Sequence, residues 1–228
     1  MRKGVLLITG ASSGIGEATA RAAAREGYKL VLAARSHDKL TALAQELGPE
    51  NVLTCELDVT NMDQQRAMVE QAIETFGHLD AIFANAGRGG SPGGFSEANH
   101  EDWRDMILTN IYGVGLTVQA CLPELKRSKG HVLLTGSAAG RTTIPGSMYS
   151  ATKWAVTGIG YNLREELRGT GIRVTLIEPG MVDTPFFDEP PEHALADRDI
   201  ANAVIYALSQ PAHVDVNEIL IRPTPSLE

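Results

Sequence analysis

Short apolar runs alternate with longer mixed segments along most of this chain. The runs Gly4 to Ile8, Lys29 to Ala33, Val52 to Leu57, Ala81 to Ala84, His131 to Thr135, Val174 to Glu178 and Glu218 to Ile221 are rich in branched residues and show no polar alternation. That pattern predicts strands buried on both faces. Between them lie segments rich in Ala, Leu, Glu, Gln and Arg: Ile15 to Glu26, Asp38 to Leu47, Asp63 to Phe76, Glu101 to Lys126, Met148 to Arg168 and Asp197 to Leu208. These predict helices. Regular alternation of the two calls for an α/β fold, doubly wound, with a parallel sheet of about seven strands between two helix layers. Three loops, Arg88 to Gly94, Ala138 to Ser147 and Pro179 to Pro191, follow predicted strand ends, where open α/β sheets hold ligands.

Length and charge narrow the picture. At 228 residues the chain suits one domain, taken as residues 1–226 with a short lid at about 181–197. With 20 basic and 28 acidic residues the formal charge is −8, which argues against nucleic acid or an anionic membrane as partner. The N-terminal apolar run stops after five residues at a Gly-rich turn, too short for a signal peptide. No stretch approaches the roughly 18 uninterrupted apolar residues of a membrane span. Cys55 and Cys121 sit in apolar stretches and read as buried thiols in a reducing cytoplasm. Leu227-Glu228 is set aside as a possible expression scar.

The first strand runs into TGASSGIG, Thr9 to Gly16, and a helix begins within it. Glycines allow positive φ and let backbone approach a pyrophosphate, whose charge then meets the free N–H groups of a helix start. The placement points to a dinucleotide. The spacing Gly10, Gly14, Gly16 differs from G-x-G-x-x-G, and the Lys-Ser/Thr pair of a P-loop is missing.

Further on come NAG at Asn85 to Gly87, Asn110, Ser137, YSATK from Tyr149 to Lys153, and Pro179-Gly180. Together with the TGxxxGxG turn, and in this order, these motifs resemble the short-chain dehydrogenase/reductase family. The resemblance implies a Rossmann-type sheet of order 3-2-1-4-5-6-7. It implies a nicotinamide dinucleotide held by Gly10, Ser12, Ser13, Gly14, Ile15 and Gly16, with Asp58 and Val59 edging the adenine. Asn85, Ala86 and Gly87 would lie near the cofactor, and Pro179, Gly180, Val182 and Thr184 on the carboxamide side. A capping role for Asp58, directly or through Thr60, is the competing reading.

Where a NAD site usually offers a carboxylate to the ribose 2′-hydroxyl, the chain has Ala34 followed by Arg35 and Ser36. A guanidinium attracts a 2′-phosphate, so NADP(H) is the expected cofactor. Ser13 stands where some family members carry a second basic residue.

Tyr149 and Lys153 are four apart on a predicted helix and share a face. A neighbouring ammonium is expected to lower the phenol's pKa toward the working range. Tyr149 then protonates the alkoxide formed by hydride arrival, or removes the alcohol proton in reverse. Ser137 donates to the same oxygen. The resemblance adds that Lys153 holds the nicotinamide ribose and that Asn110 bends its helix and positions a water. The expected function is a catalytic one, NADP(H)-dependent oxidoreduction of a small carbonyl or secondary alcohol; a non-catalytic NADP(H) sensor or scaffold is the alternative. The six histidines have no metal-ligand spacing, so no catalytic metal is expected. G-x-S-x-G fails around Ser137, against a hydrolase. Phe186 and Phe187 are candidates for an apolar wall. Arg88, Arg141 and Ser91 suit a polar or acidic substrate such as a small hydroxy acid. The two long helices suit burial toward both sheet and partner, in a homodimer or homotetramer.

Overall fold

The computed structural model describes residues 4–187, 189 and 191–224; the possible scar at 227–228 and Asp188 and Pro190 of the expected lid lie outside them. Strands β1 (Val5–Thr9), β2 (Lys29–Ala34), β3 (Val52–Glu56), β4 (Ala81–Ala84), β5 (His131–Thr135), β6 (Arg173–Pro179) and β9 (Glu218–Ile221) form one sheet, ordered β3-β2-β1-β4-β5-β6-β9. Every pairing is parallel. The expected order holds, with β9 as its seventh member. Two short strands, β7 (Val182–Asp183) and β8 (Leu195–Ala196), precede it and pair with each other.

Side-chain alternation splits the core in two. Leu7, Val31, Ile82, Val132 and Leu176 pack with α3 (Met62–Phe76), α6 (Gly113–Ser128) and α7 (Met148–Glu166). Leu6, Ile8, Leu30, Leu32 and Phe83 pack with α1 (Gly14–Arg25), α2 (His37–Leu47) and α8 (Asp197–Ser209). Because helices cover both faces, the strands need no polar alternation. Cys55 and Cys121 are free and buried, and burial raises their thiols to about 11 and about 12.

The expected continuous helix from Glu101 to Lys126 is interrupted. After the short α4 (Gly94–Glu97), α5 (His100–Ile107) enters a π turn at Leu108–Tyr112 before α6 continues. Within His100–Ser128 one 18-residue window is apolar enough by composition for a membrane span, yet Val114, Val118, Cys121 and Leu125 from this stretch pack in the sheet core.

Candidate active site

The C-terminal ends of β1, β2, β4, β5 and β6 open into a cleft of about 390 Å3. Of the catalytic, cofactor and substrate-edge residues singled out from sequence, all but Gly16, Asn110, Ser91 and Arg141 line it. At its centre the chain leaves β1 through Gly10, with φ of +65°, and enters α1. Gly16 must be bare: a Cβ there would lie 2.2 Å from the Gly10 carbonyl oxygen. Ser13 caps α1 without a side-chain hydrogen bond, so the first-turn N–H groups are not satisfied by a capping hydroxyl and suit an anion. This cradle fits a dinucleotide pyrophosphate.

Asn85 braces the turn from the end of β4. Its Nδ2 donates to the carbonyls of Thr9 and Gly10 at 3.1 and 3.4 Å, and its Oδ1 accepts from Thr135 Oγ1 at 3.1 Å. Thr9 Oγ1 in turn accepts from the backbone N–H groups of Asn85 and Ala86 at 3.0 and 3.1 Å. The carboxamide thus ties three strand ends together.

Toward β2 the cleft is lined by Ala34, Arg35, Ser36 and Lys39, the last three exposed. Lys39 escaped the sequence reading, although its position one turn into α2 after Arg35 was a usable signal. Asp58 does not cap α3; Asn61 does, accepting from the N–H groups of Asp63 and Gln64. Instead Asp58 accepts from the N–H and hydroxyl of Thr60 at 2.9 and 2.7 Å. Those bonds, chiefly, hold its carboxyl below the usual range.

Toward β5, Tyr149 and Lys153 project from the start of α7, which Ser147 caps by accepting from the Ser150 N–H. The phenol is hydrogen-bonded to Ser137, and burial pushes it up to about 12 against the opposing pull of that bond. Lys153 is buried and pushed down to about 8 by desolvation. Its Nζ donates to the Thr135 carbonyl at 2.8 Å and lies 5.7 Å from the Tyr149 ring centroid. The expectation that Lys153 lowers the phenol's pKa is therefore corrected for this structure: loss of water dominates both groups, and the ammonium is turned to a carbonyl. Ser137 Oγ accepts from the Ala139 N–H at 3.1 Å and donates to the Pro179 carbonyl at 3.3 Å. To donate to a substrate oxygen it must leave that carbonyl.

Asn110 lies in the π turn, buried behind the cleft. Its Oδ1 accepts from the Arg88 N–H at 2.9 Å, and its Nδ2 donates to the Arg88 carbonyl at 3.0 Å and Thr152 Oγ1 at 3.1 Å. Thr152 donates onward to the Tyr149 carbonyl at 2.8 Å. Asn110 thus couples the loop after β4 to the helix carrying Tyr149. Thr152 and Thr135, neither anticipated, complete this scaffold; Thr152 was visible inside YSATK.

Phe186 and Phe187 both line the cleft, with Phe186 5.5 Å from the Tyr149 ring and 5.1 Å from Phe187 between centroids. The three residues expected to favour an acidic substrate are otherwise engaged. Arg141 pairs with Glu178 at 2.8 Å and with Glu218, Ser91 Oγ accepts from the Asn99 N–H, and Arg88 pairs with Asp102 and Asp105 at 3.2 and 3.1 Å.

A family model for short chain dehydrogenases matches residues 4–194. An uncharacterized oxidoreductase of Staphylococcus haemolyticus is 44% identical over 224 residues, 96% of each chain. Among solved structures, an alcohol dehydrogenase from the archaeon Thermococcus sibiricus, complexed with 5-hydroxy-NADP, is 36% identical with a TM-score of 0.90, covering 98% of this chain and 99% of that one. A serine dehydrogenase from Escherichia coli is 34% identical with a TM-score of 0.88, covering 95% and 96%. With its turn, its Ser-Tyr-Lys group and its sheet order in place, this chain belongs to the short-chain dehydrogenase/reductase family of oxidoreductases.

Proposed function

We propose that the chain is an NADP(H)-dependent oxidoreductase acting on a small ketone or secondary alcohol, with Tyr149 as the acid/base. The observation that carries this reading is one cleft with a cationic edge at Arg35 and Lys39 and, at its other edge, the half-buried Tyr149 between the buried Ser137 and Lys153. When bound, the dinucleotide supplies or takes the hydride. Gly10 to Gly16 hold its pyrophosphate. Arg35, Ser36 and Lys39 meet its 2′-phosphate, and Asp58 and Val59 the adenine. Pro179, Gly180, Val182 and Thr184 face the nicotinamide end.

At neutral pH the Tyr149 phenol carries its proton, which is the form needed to protonate an alkoxide. Ser137 orients the reacting oxygen, and Lys153 steadies the developing phenolate when it swings from the Thr135 carbonyl. The complex of the Thermococcus sibiricus relative with 5-hydroxy-NADP supports the NADP(H) assignment by analogy.

The test is Arg35→Ala with both cofactors titrated by fluorescence. Loss of a charge-assisted bidentate contact weakens NADPH binding by about 10–100-fold while NADH stays within about twofold. Equal weakening of the two, or of neither, contradicts the phosphate assignment. We further propose that the exposed Tyr112, Trp154 and Tyr161 on the π turn and α7 meet a second copy of the chain in a homodimer or homotetramer. The two free buried thiols favour work in a reducing cytoplasm.

A further inference from the structure

The Tyr149 side of the cleft carries the rings of Phe186 and Phe187, and its one cation besides Lys153 is already paired. Among the described residues lining the cleft, the cations are Arg35 and Lys39 toward β2, and Lys153 and Arg88 on the Tyr149 side. Lys153 is turned to the Thr135 carbonyl at 2.8 Å. Arg88 donates from both terminal nitrogens, Nη1 to Asp105 and Nη2 to Asp102, at 3.1 and 3.2 Å. A substrate carboxylate reaching Arg88 would replace one carboxylate partner with another, so it gains no new pairing. It still has to shed water against Phe186, a cost that nothing there repays.

What the same edge offers is ring surface. Phe186 meets the Tyr149 ring at an interplanar angle of 58° and Phe187 edge-on at 74°. It lies against Gly89, where a Cβ would stand 3.3 Å from the Phe186 Cζ. Both phenylalanines remain partly exposed, at 42% and 36%, so apolar area beside the reacting phenol is open to be covered. Covering it is favourable, and aromatic geometry adds to plain area burial.

We propose that the substrate is an uncharged ketone, or the matching alcohol, bearing an aromatic or bulky apolar group seated on Phe186 and Phe187, and that carboxylate-bearing carbonyl compounds are disfavoured. The inference rests on the oxidoreductase reading above and deepens it. The reaction balances within that reading: the carbonyl carbon gains a hydride from the reduced nicotinamide, its oxygen gains a proton from Tyr149, and an alcohol leaves with the oxidised dinucleotide.

Two matched pairs test it, phenylacetone against phenylpyruvate and butanone against its α-keto acid, each pair differing by methyl against carboxylate. The wild-type enzyme with NADPH is expected to show kcat/KM at least about tenfold higher for the ketone in each pair, and higher for phenylacetone than for butanone. Phe186→Ala lowers kcat/KM for phenylacetone about tenfold and leaves butanone within about threefold. Keto acids turned over as well as the ketones overturn the proposal, and so does an equal loss of both ketones in Phe186→Ala, which would mark Phe186 as a prop for Tyr149. Saturation-transfer NMR on the enzyme with NADPH separates this from failure of the oxidoreductase reading. If none of the four compounds is turned over but phenylacetone receives saturation and phenylpyruvate does not, the oxidoreductase reading falls and the substrate-edge chemistry stands. Equal saturation of both overturns it.

Discussion

Tyr149 and Lys153 sit four residues apart, and helix geometry alone brings their side chains to one face. That adjacency was legible in the sequence; the balance of forces on the two groups was not. Spacing says nothing about how much water each side chain loses, and here that loss holds the phenol up at about 12 and the ammonium down at about 8. The consequence is measurable. In the unfolded chain Lys153 keeps its proton to its ordinary 10.5, in the fold only to about 8. Between those values the unfolded state binds more protons, so stability rises with pH. The cost, about 3 kcal/mol, is fully present below pH 8 and relieved on approach to 10.5. Lys153→Met is therefore expected to be more stable than wild type at pH 7, by up to that amount, with the two converging toward pH 10 in urea unfolding. A gap that does not change with pH contradicts this.

Among the elements, the break at Asn110 shows where a local pattern stops being informative. The segment from Glu101 to Lys126 keeps enough apolar positions to read as one helix, whereas the π turn goes with side-chain bonds to Arg88, 22 residues away. A neighbour so distant leaves no trace in helical periodicity; only the family resemblance marked Asn110 as a bend. Its carboxamide satisfies both the N–H and the carbonyl of Arg88, so Asn110→Leu strands two backbone groups at about 1–3 kcal/mol each. The midpoint of urea unfolding should fall accordingly, and an unchanged midpoint would mean water or rearranged backbone replaces the amide. The parallel pairing of Val182–Asp183 with Leu195–Ala196 is a similar case: it involves two residues a side, below what an apolar run can signal.

At the scale of the molecule, the alternation of apolar runs and helical segments was enough to specify a parallel sheet. The order β3-β2-β1-β4 puts the turnaround between β1 and β4, where the Gly10 turn and Asn85 meet, as expected of a ligand site in an open sheet. The pairing of the polar residues near the cleft was the part not legible. Arg88, Arg141 and Ser91 looked available for an acidic ligand because a sequence does not show that Asp102, Asp105, Glu178 and Glu218 fold onto the two arginines. Exposed Tyr112 and Trp154 set a further expectation: light scattering at micromolar concentration gives a dimer or tetramer mass, and a monomer removes the proposed interface.

The central claim is that Tyr149 supplies the proton in an NADP(H)-linked reduction. Its most direct test compares wild type with Tyr149→Phe, following NADPH absorbance during ketone reduction and NADPH affinity by fluorescence. Turnover is expected to fall by about 10²–10⁴-fold with cofactor affinity unchanged within a few-fold; a phenylalanine variant that reduces the ketone at close to the wild-type rate would contradict it.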